Sequence, residues 1–88
     1  MKPSERQVLK AKAHNLKPVI LMGAKGLTQA VLDETDIALL THELIKIKIN
    51  GQEKDDRQLT ATAICDKLHA ELIQMIGSMA IIYRKNIS

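Results

Sequence analysis

Pro18-Val-Ile-Leu-Met-Gly-Ala-Lys-Gly-Leu-Thr28 is the stretch on which the fold turns. Pro18 opens a short apolar run rich in β-branched residues and Gly23 closes it, which is the pattern of a buried strand. Gly23-Ala24-Lys25-Gly26 then reads as a turn. Thr28 is placed to cap a helix running to about Thr41, with Leu27, Val31, Ala38 and Leu39 on its apolar side. A strand that passes through a tight glycine turn into a helix is the first half of a crossover, so a parallel partner strand is expected next.

That partner is Glu43 to Ile49, where Ile45, Ile47 and Ile49 alternate with Leu44, Lys46 and Lys48. The period of two predicts a half-buried strand carrying two lysines on its other face. Asn50-Gly51 and the polar residues to Asp56 do not resume the alternation and read as a loop. Asp55 or Asp56 is expected to cap a helix with Ala61, Ile64, Cys65 and Leu68 at i, i+3, i+4 and i+7, ending near Ala70. Leu72–Ile76 and Met79–Tyr83, separated by Gly77-Ser78, form a hairpin with a two-residue loop.

Upstream of the opening stretch, Ser4 and Gln7 have capping-box spacing and begin a helix to about His14. Leu9, Ala13 and Leu16 share one side of it, and Arg6, Lys10 and Lys17 a neighbouring basic stripe bordered by His14. The order is αβαβαββ. The fold class is α/β, in detail an α+β two-layer sandwich: a four-stranded mixed sheet whose two crossover helices lie on one side. No repeat or linker divides the chain, so residues 1–88 are expected to be one domain.

Composition limits what such a domain does. A chain of 88 residues buries only about 60–65% of its unfolded surface, which disfavours an elaborate catalytic cleft. Its one cysteine excludes an internal disulfide framework, and its three histidines and Cys65 lie at no metal-ligand spacing, so no metal and no cofactor are expected. Tyr83 is the sole aromatic, which removes base stacking on aromatic platforms. Lysines and arginines interrupt every apolar stretch near the N-terminus, and none is long enough to span a bilayer. The expected compartment is the cytoplasm, with no membrane partner.

Charge is uneven. The segment to Lys25 holds six basic side chains (Lys2, Arg6, Lys10, Lys12, Lys17, Lys25) against Glu5 alone, whereas residues 26–71 hold five basic and nine acidic ones. A basic end of this kind favours a polyanionic partner. The glycine turn belongs to that end. Between a strand and a helix N-terminus, glycines allow close backbone approach, free amides receive phosphate oxygens, Lys25 adds positive charge, and Thr28 either offers its hydroxyl or caps the helix. The spacing is neither a Walker A loop nor a dinucleotide fingerprint, and the remaining use of GxxG before a helix is to clamp a nucleic-acid backbone. His42 and His69 fall at helix C-termini, where they are stabilising, and Cys65 lies on an apolar face. No two carboxylates pair as acid and base, and Met22, Met75 and Met79 read as gap-filling core.

Leu16-Lys17-Pro18, Gly23-Ala24-Lys25-Gly26-Leu27-Thr28, His42-Glu43-Leu44-Ile45-Lys46 with Lys48, Gln74-Met75-Ile76-Gly77 and Tyr83-Arg84 together resemble the bacterial YhbY-like proteins, single-domain members of the CRM family of RNA-binding domains. The resemblance covers nearly the whole chain. It implies a fold similar to the C-terminal domain of bacterial translation initiation factor three, a GxxG loop that engages RNA, and association with precursors of the large ribosomal subunit.

The expectation is a non-enzymatic RNA-binding protein assisting ribosome assembly, its partner ribosomal RNA of the large-subunit precursor, with ribosomal proteins as further partners and no small-molecule substrate. The candidate contacts are Gly23, Ala24, Lys25, Gly26 and Thr28 of the loop, Arg6, Lys10 and Lys17 of the basic stripe, and Lys46, Lys48, Arg84 and Lys85. Two other readings stand beside it: a protein-docking assembly factor using the open sheet face, and a small phosphate-handling enzyme, for which no general base is visible.

Overall fold

The alternation of Leu44–Ile49 becomes the inner strand on which the rest is assembled. The computed structural model describes residues 1–23 and 25–86. The elements are α1 (Pro3–Ala13), β1 (Ile20–Met22), α2 (Gln29–His42), β2 (Leu44–Ile49), α3 (Lys54–Leu68), β3 (Glu71–Ile76) and β4 (Met79–Tyr83), in the αβαβαββ order expected. The strands lie in the order β1-β2-β4-β3. β1 is parallel to β2, and β4 is antiparallel to both β2 and β3, so the sheet is mixed.

Strand periodicity sorts the side chains onto two faces. On one, Ile20, Met22, Ile45, Ile47, Ile49, Ala80 and Ile82 meet Leu39 of α2 and Ala61, Ile64 and Cys65 of α3. Each fully buried isoleucine here contributes about 1.5–3 kcal/mol, and cutting one back to alanine costs about 2–5 kcal/mol once the cavity is counted. The sheet and these two helices are the paired layers the crossovers imply.

α1 lies against the opposite face. Its Ala13 is buried with Ile73 and Ile81, and Leu9 and Leu16 pack there beside Leu44 and Tyr83. A register shift between Leu72 and Gln74 in β3 leaves both Ile73 and Gln74 on the α1 side of the sheet. The helix covers this face only at the end where β2 begins.

Several boundaries differ from the sequence reading for identifiable reasons. α1 begins one residue before Ser4, with Pro3 in its first turn and Lys2 at the N-cap, and no side chain caps it; the fixed φ of Pro3 starts the helix, so the Ser4/Gln7 capping box does not form. α3 begins after Glu53, which leaves Asp55 and Asp56 inside the first turn beside the positive helix end instead of at the cap. It stops at Leu68 because His69 turns left-handed (φ 56°, ψ 43°). β1 is shorter than Pro18–Met22 and only half-buried: Leu21 is 67% exposed. An edge strand with its second face uncovered has no neighbour there to bury Leu21 or Val19.

Candidate nucleic-acid interface

The glycine turn sits where three connections converge. The C-terminal ends of β1 and β2 and the hairpin turn of β3 and β4 share one end of the sheet, as the Ile49 amide donating to Ser78 O (2.8 Å) and the Asn50 amide donating to Met22 O (3.1 Å) require. Arg57 fastens this end, its Nη1 donating to Gln52 O (2.7 Å) and its Nε to Gly77 O (3.2 Å). Within the turn the Gly26 amide donates to Gly23 O at 3.1 Å, so that amide closes the loop and is not free for a phosphate. Gly26 has φ +73°, whereas Gly23 is exposed with open space around it. Lys25 stands in solvent. Ala24, also a candidate contact, lies outside the described residues.

Thr28 takes the capping role of its two alternatives, its hydroxyl accepting from the Val31 amide at 3.2 Å. α2 then begins with no acidic side chain in its first turn. The remaining first-turn amides have no partner within the helix, and their partial positive charge faces the loop uncompensated.

The arginines and lysines divide by role. The chain has three arginines, and each is turned onto backbone carbonyls. Arg6 Nη1 donates to Leu72 O (2.9 Å) and Ile73 O (3.2 Å), the carbonyls at the β3 irregularity, and its Nη2 lies 3.7 Å from Glu71 Oε2. Arg84 donates to Asp36 Oδ1 (2.8 Å), Leu68 O (3.0 Å) and Asp36 O (3.2 Å), tying the chain just after β4 to the middle of α2 and to the C-terminus of α3. A planar guanidinium fork suits such work better than a lysine does. Among the described residues no lysine forms an ion pair.

The structure therefore separates the candidates. Arg6 and Arg84 are held internally. Lys17 follows α1 instead of continuing its stripe, and it lines an apolar groove of about 450 Å³ with Lys12, Leu16, Val19, His42 and Leu44. Lys12 is a member that the helical stripe did not single out; it lines the same groove as Lys17. Lys46 and Lys48 project from the sheet face that α1 leaves uncovered, Lys46 bonded through its carbonyl to the Val19 amide (3.0 Å) and Lys48 paired in register with Leu21. Lys10 is half-buried on α1. Lys85 lines a separate depression with Met1, Glu5 and Tyr83, at the sheet end away from the glycine turn.

Basic side chains thus occur at three places: Lys12 and Lys17 at the groove beside Leu44, Lys46 and Lys48 on the open sheet face, and Lys25 in the glycine turn ahead of α2. The carboxylates Asp33, Glu34, Asp36, Asp55, Asp56 and Asp66 belong to α2 and α3, the layer on the other side of the sheet. Glu5 of α1 and Glu71 of β3 lie on the α1 side, Glu71 beside Arg6.

The remaining reactive groups are occupied or isolated. Burial pushes the Cys65 thiol up to about 12, with the Asp66 and Glu71 charges adding to it, so it stays protonated and inert. His42 ends α2 and His69 caps α3. Among the described residues no three His, Cys, Asp or Glu side chains gather as a metal site, and no helix is long and apolar enough to cross a membrane.

Comparison with known proteins agrees with this architecture. The profile of the CRS1 / YhbY (CRM) domain matches residues 1–84. The chain belongs to the CRM domain family. This CRM domain is 43% identical over 82 residues to a protein of Pseudomonas aeruginosa named a probable RNA-binding protein, covering 93% of this chain and 79% of that one. It is 42% identical over 80 residues to an RNA-binding protein of Haemophilus influenzae, covering 91% and 81%. A solution structure of a Staphylococcus aureus protein, a candidate RNA-binding protein, superposes with a TM-score of 0.88 at 30% identity, covering 100% of this chain and 92% of that one.

Proposed function

We propose that this chain is an RNA-binding protein of the CRM family that grips the RNA backbone along the β1 edge and at the glycine turn, and that it assists assembly of the large ribosomal subunit in the cytoplasm. The observation that carries the reading is the division between inward arginines and unpaired lysines, which leaves Lys12 and Lys17 at the groove, Lys46 and Lys48 on the open sheet face and Lys25 in the glycine turn. Lysine ammonium groups act as point charges on phosphates and lack the fork geometry that reads a guanine edge. Binding is accordingly governed by phosphate positions and shape, with little base preference. Gly23 gives the backbone close approach, and the α2 N-terminus adds a fixed positive end.

Gly23→Asp and Lys25→Glu test the loop. Gly23 has open space around it, so an added side chain leaves the fold intact, whereas substitution at Gly26 would strain the turn and confuse the result. Both variants are expected to lose RNA affinity at least tenfold by roughly the worth of one or two phosphate contacts, and to leave sedimenting large-subunit precursor particles. Full retention of RNA affinity with melting unchanged would reject the loop as the RNA grip. Loss of RNA affinity with undiminished particle association would transfer the assembly role to a protein contact.

A further inference from the structure

α1 covers only the β2-start end of its sheet face, and what it leaves open has a defined composition. The registers Leu21↔Lys48, Lys48↔Met79 and Met79↔Ile76 put these four side chains in one row across all four strands, at the end next to the glycine turn. Leu21 is 67% and Ile76 49% exposed, while Lys48 and Met79 are half-buried. The row spans about 14 Å at ordinary strand spacing. The next row toward α1 holds Lys46 and Gln74 on either side of buried Ile81. Neither row contains an acid.

This combination is not what a duplex needs. An A-form helix offers phosphates and 2′-hydroxyls, and laying it here would leave Leu21 and Ile76 facing polar groups with nothing apolar to meet. Unpaired RNA offers both chemistries: bases present flat, weakly polar faces, and the phosphates between them seek Lys46 and Lys48. The lysine stems extend the aliphatic surface while their ammonium groups reach its border. Resting on the RNA reading above, we infer that the open half of the sheet is a seat for unpaired RNA, its bases against Leu21, Met79 and Ile76 and its backbone passing into the Gly23–Gly26 turn. Aliphatic side chains here take the place of the aromatic platform the sequence lacks, and they do so without selecting among bases, since contact with a flat face carries no hydrogen-bond code.

The test compares a labelled unpaired oligonucleotide with a hairpin RNA by fluorescence anisotropy, using the double variant Leu21→Ser, Ile76→Ser. Both side chains stand in solvent, and thermal melting checks that the fold is kept. Affinity for the unpaired RNA is expected to fall roughly tenfold through lost apolar contact, with the hairpin's affinity and both salt dependences unchanged, because no charge is removed. Equal loss for the two RNA forms would overturn the inference, as would no loss for either. Retained RNA affinity with loss of precursor-particle association would overturn it in favour of a protein partner on this face. Lys25→Glu in the same assay keeps the two levels apart: if it weakens binding while the double variant does not, only the seat fails, and if it too binds normally, the loop reading fails with it.

Discussion

Replacing Arg84 by alanine separates a structural arginine from an RNA ligand. Its side chain is 18% exposed and makes three contacts: an ion pair to Asp36 at 2.8 Å, and bonds to Leu68 O at 3.0 Å and Asp36 O at 3.2 Å. Leu68 ends α3, so its carbonyl has no partner within the helix. Bonds to a charged donor contribute about 1.5–3 kcal/mol each when buried. Asp36 is 44% exposed on its side chain and water replaces part of its pairing, so the sum is nearer 2–3 kcal/mol. A domain of this size is stable by about 4–13 kcal/mol, and Arg84→Ala remains folded at 25 °C. At about 4–8 °C per kcal/mol, the melting midpoint followed by circular dichroism falls by roughly 10–20 °C. Arg84→Lys keeps the charge but not the fork, and recovers less than half of the loss. RNA affinity measured well below the transition stays within about twofold of wild type, since no phosphate contact is removed. A variant that melts like wild type while binding RNA much more weakly would refute the structural assignment of Arg84 and return it to the interface.

Gly26→Ala should cost about 1–2 kcal/mol, because its φ of +73° disfavours any Cβ although the nearest atom, Gln52 Nε2 at 3.8 Å, leaves room; Gly23→Ala in open space should cost under about 0.5 kcal/mol. Equal midpoints for the two in thermal melts would show that the turn does not hold the conformation described. Cys65 should resist alkylation at about pH 8 until the chain unfolds, since the thiolate is the reactive form. Its thiol is raised from 9.0 to about 12, so the native state binds the proton more tightly than the unfolded one. The associated stability is complete below about pH 9 and is lost as pH rises from there toward 12. Native-state labelling as fast as in denaturant would contradict this burial.

What the sequence disclosed follows from what periodicity encodes. Ile45, Ile47 and Ile49 show strand alternation directly, and Ala61, Ile64 and Cys65 show a buried helical face, so the order of elements and the side taken by α2 and α3 were legible. The stripe Leu9, Ala13, Leu16 shows that α1 packs, but a stripe carries no information about which sheet face receives it. That choice decides the candidate site: it leaves Leu21, Lys46, Lys48 and Ile76 on the open part of the face, and Lys12 lines one groove with Lys17. Arg6 belongs to the helical stripe of Lys10 in sequence, yet its long side chain reaches the β3 carbonyls freed by the shift between Leu72 and Gln74, a feature that no local pattern signals. Ser4, Asp55 and Asp56 illustrate a different limit. Residues suited to capping are also suited to the first helical turn, and Pro3 and Glu53 settled the starting points.

The salt dependence of RNA affinity distinguishes a lysine grip on the phosphates from every other mode of binding. With Lys12, Lys17, Lys25, Lys46 and Lys48 neutralising about five phosphates, log affinity for unpaired RNA should fall with log salt at a slope near −3.5. Replacing Lys46 or Lys48 alone by alanine should bring it to about −2.8, and the acidic-layer substitution Lys67→Ala should leave it unchanged. A slope near zero, or one that Lys46→Ala and Lys48→Ala do not alter, would contradict a backbone grip by these lysines.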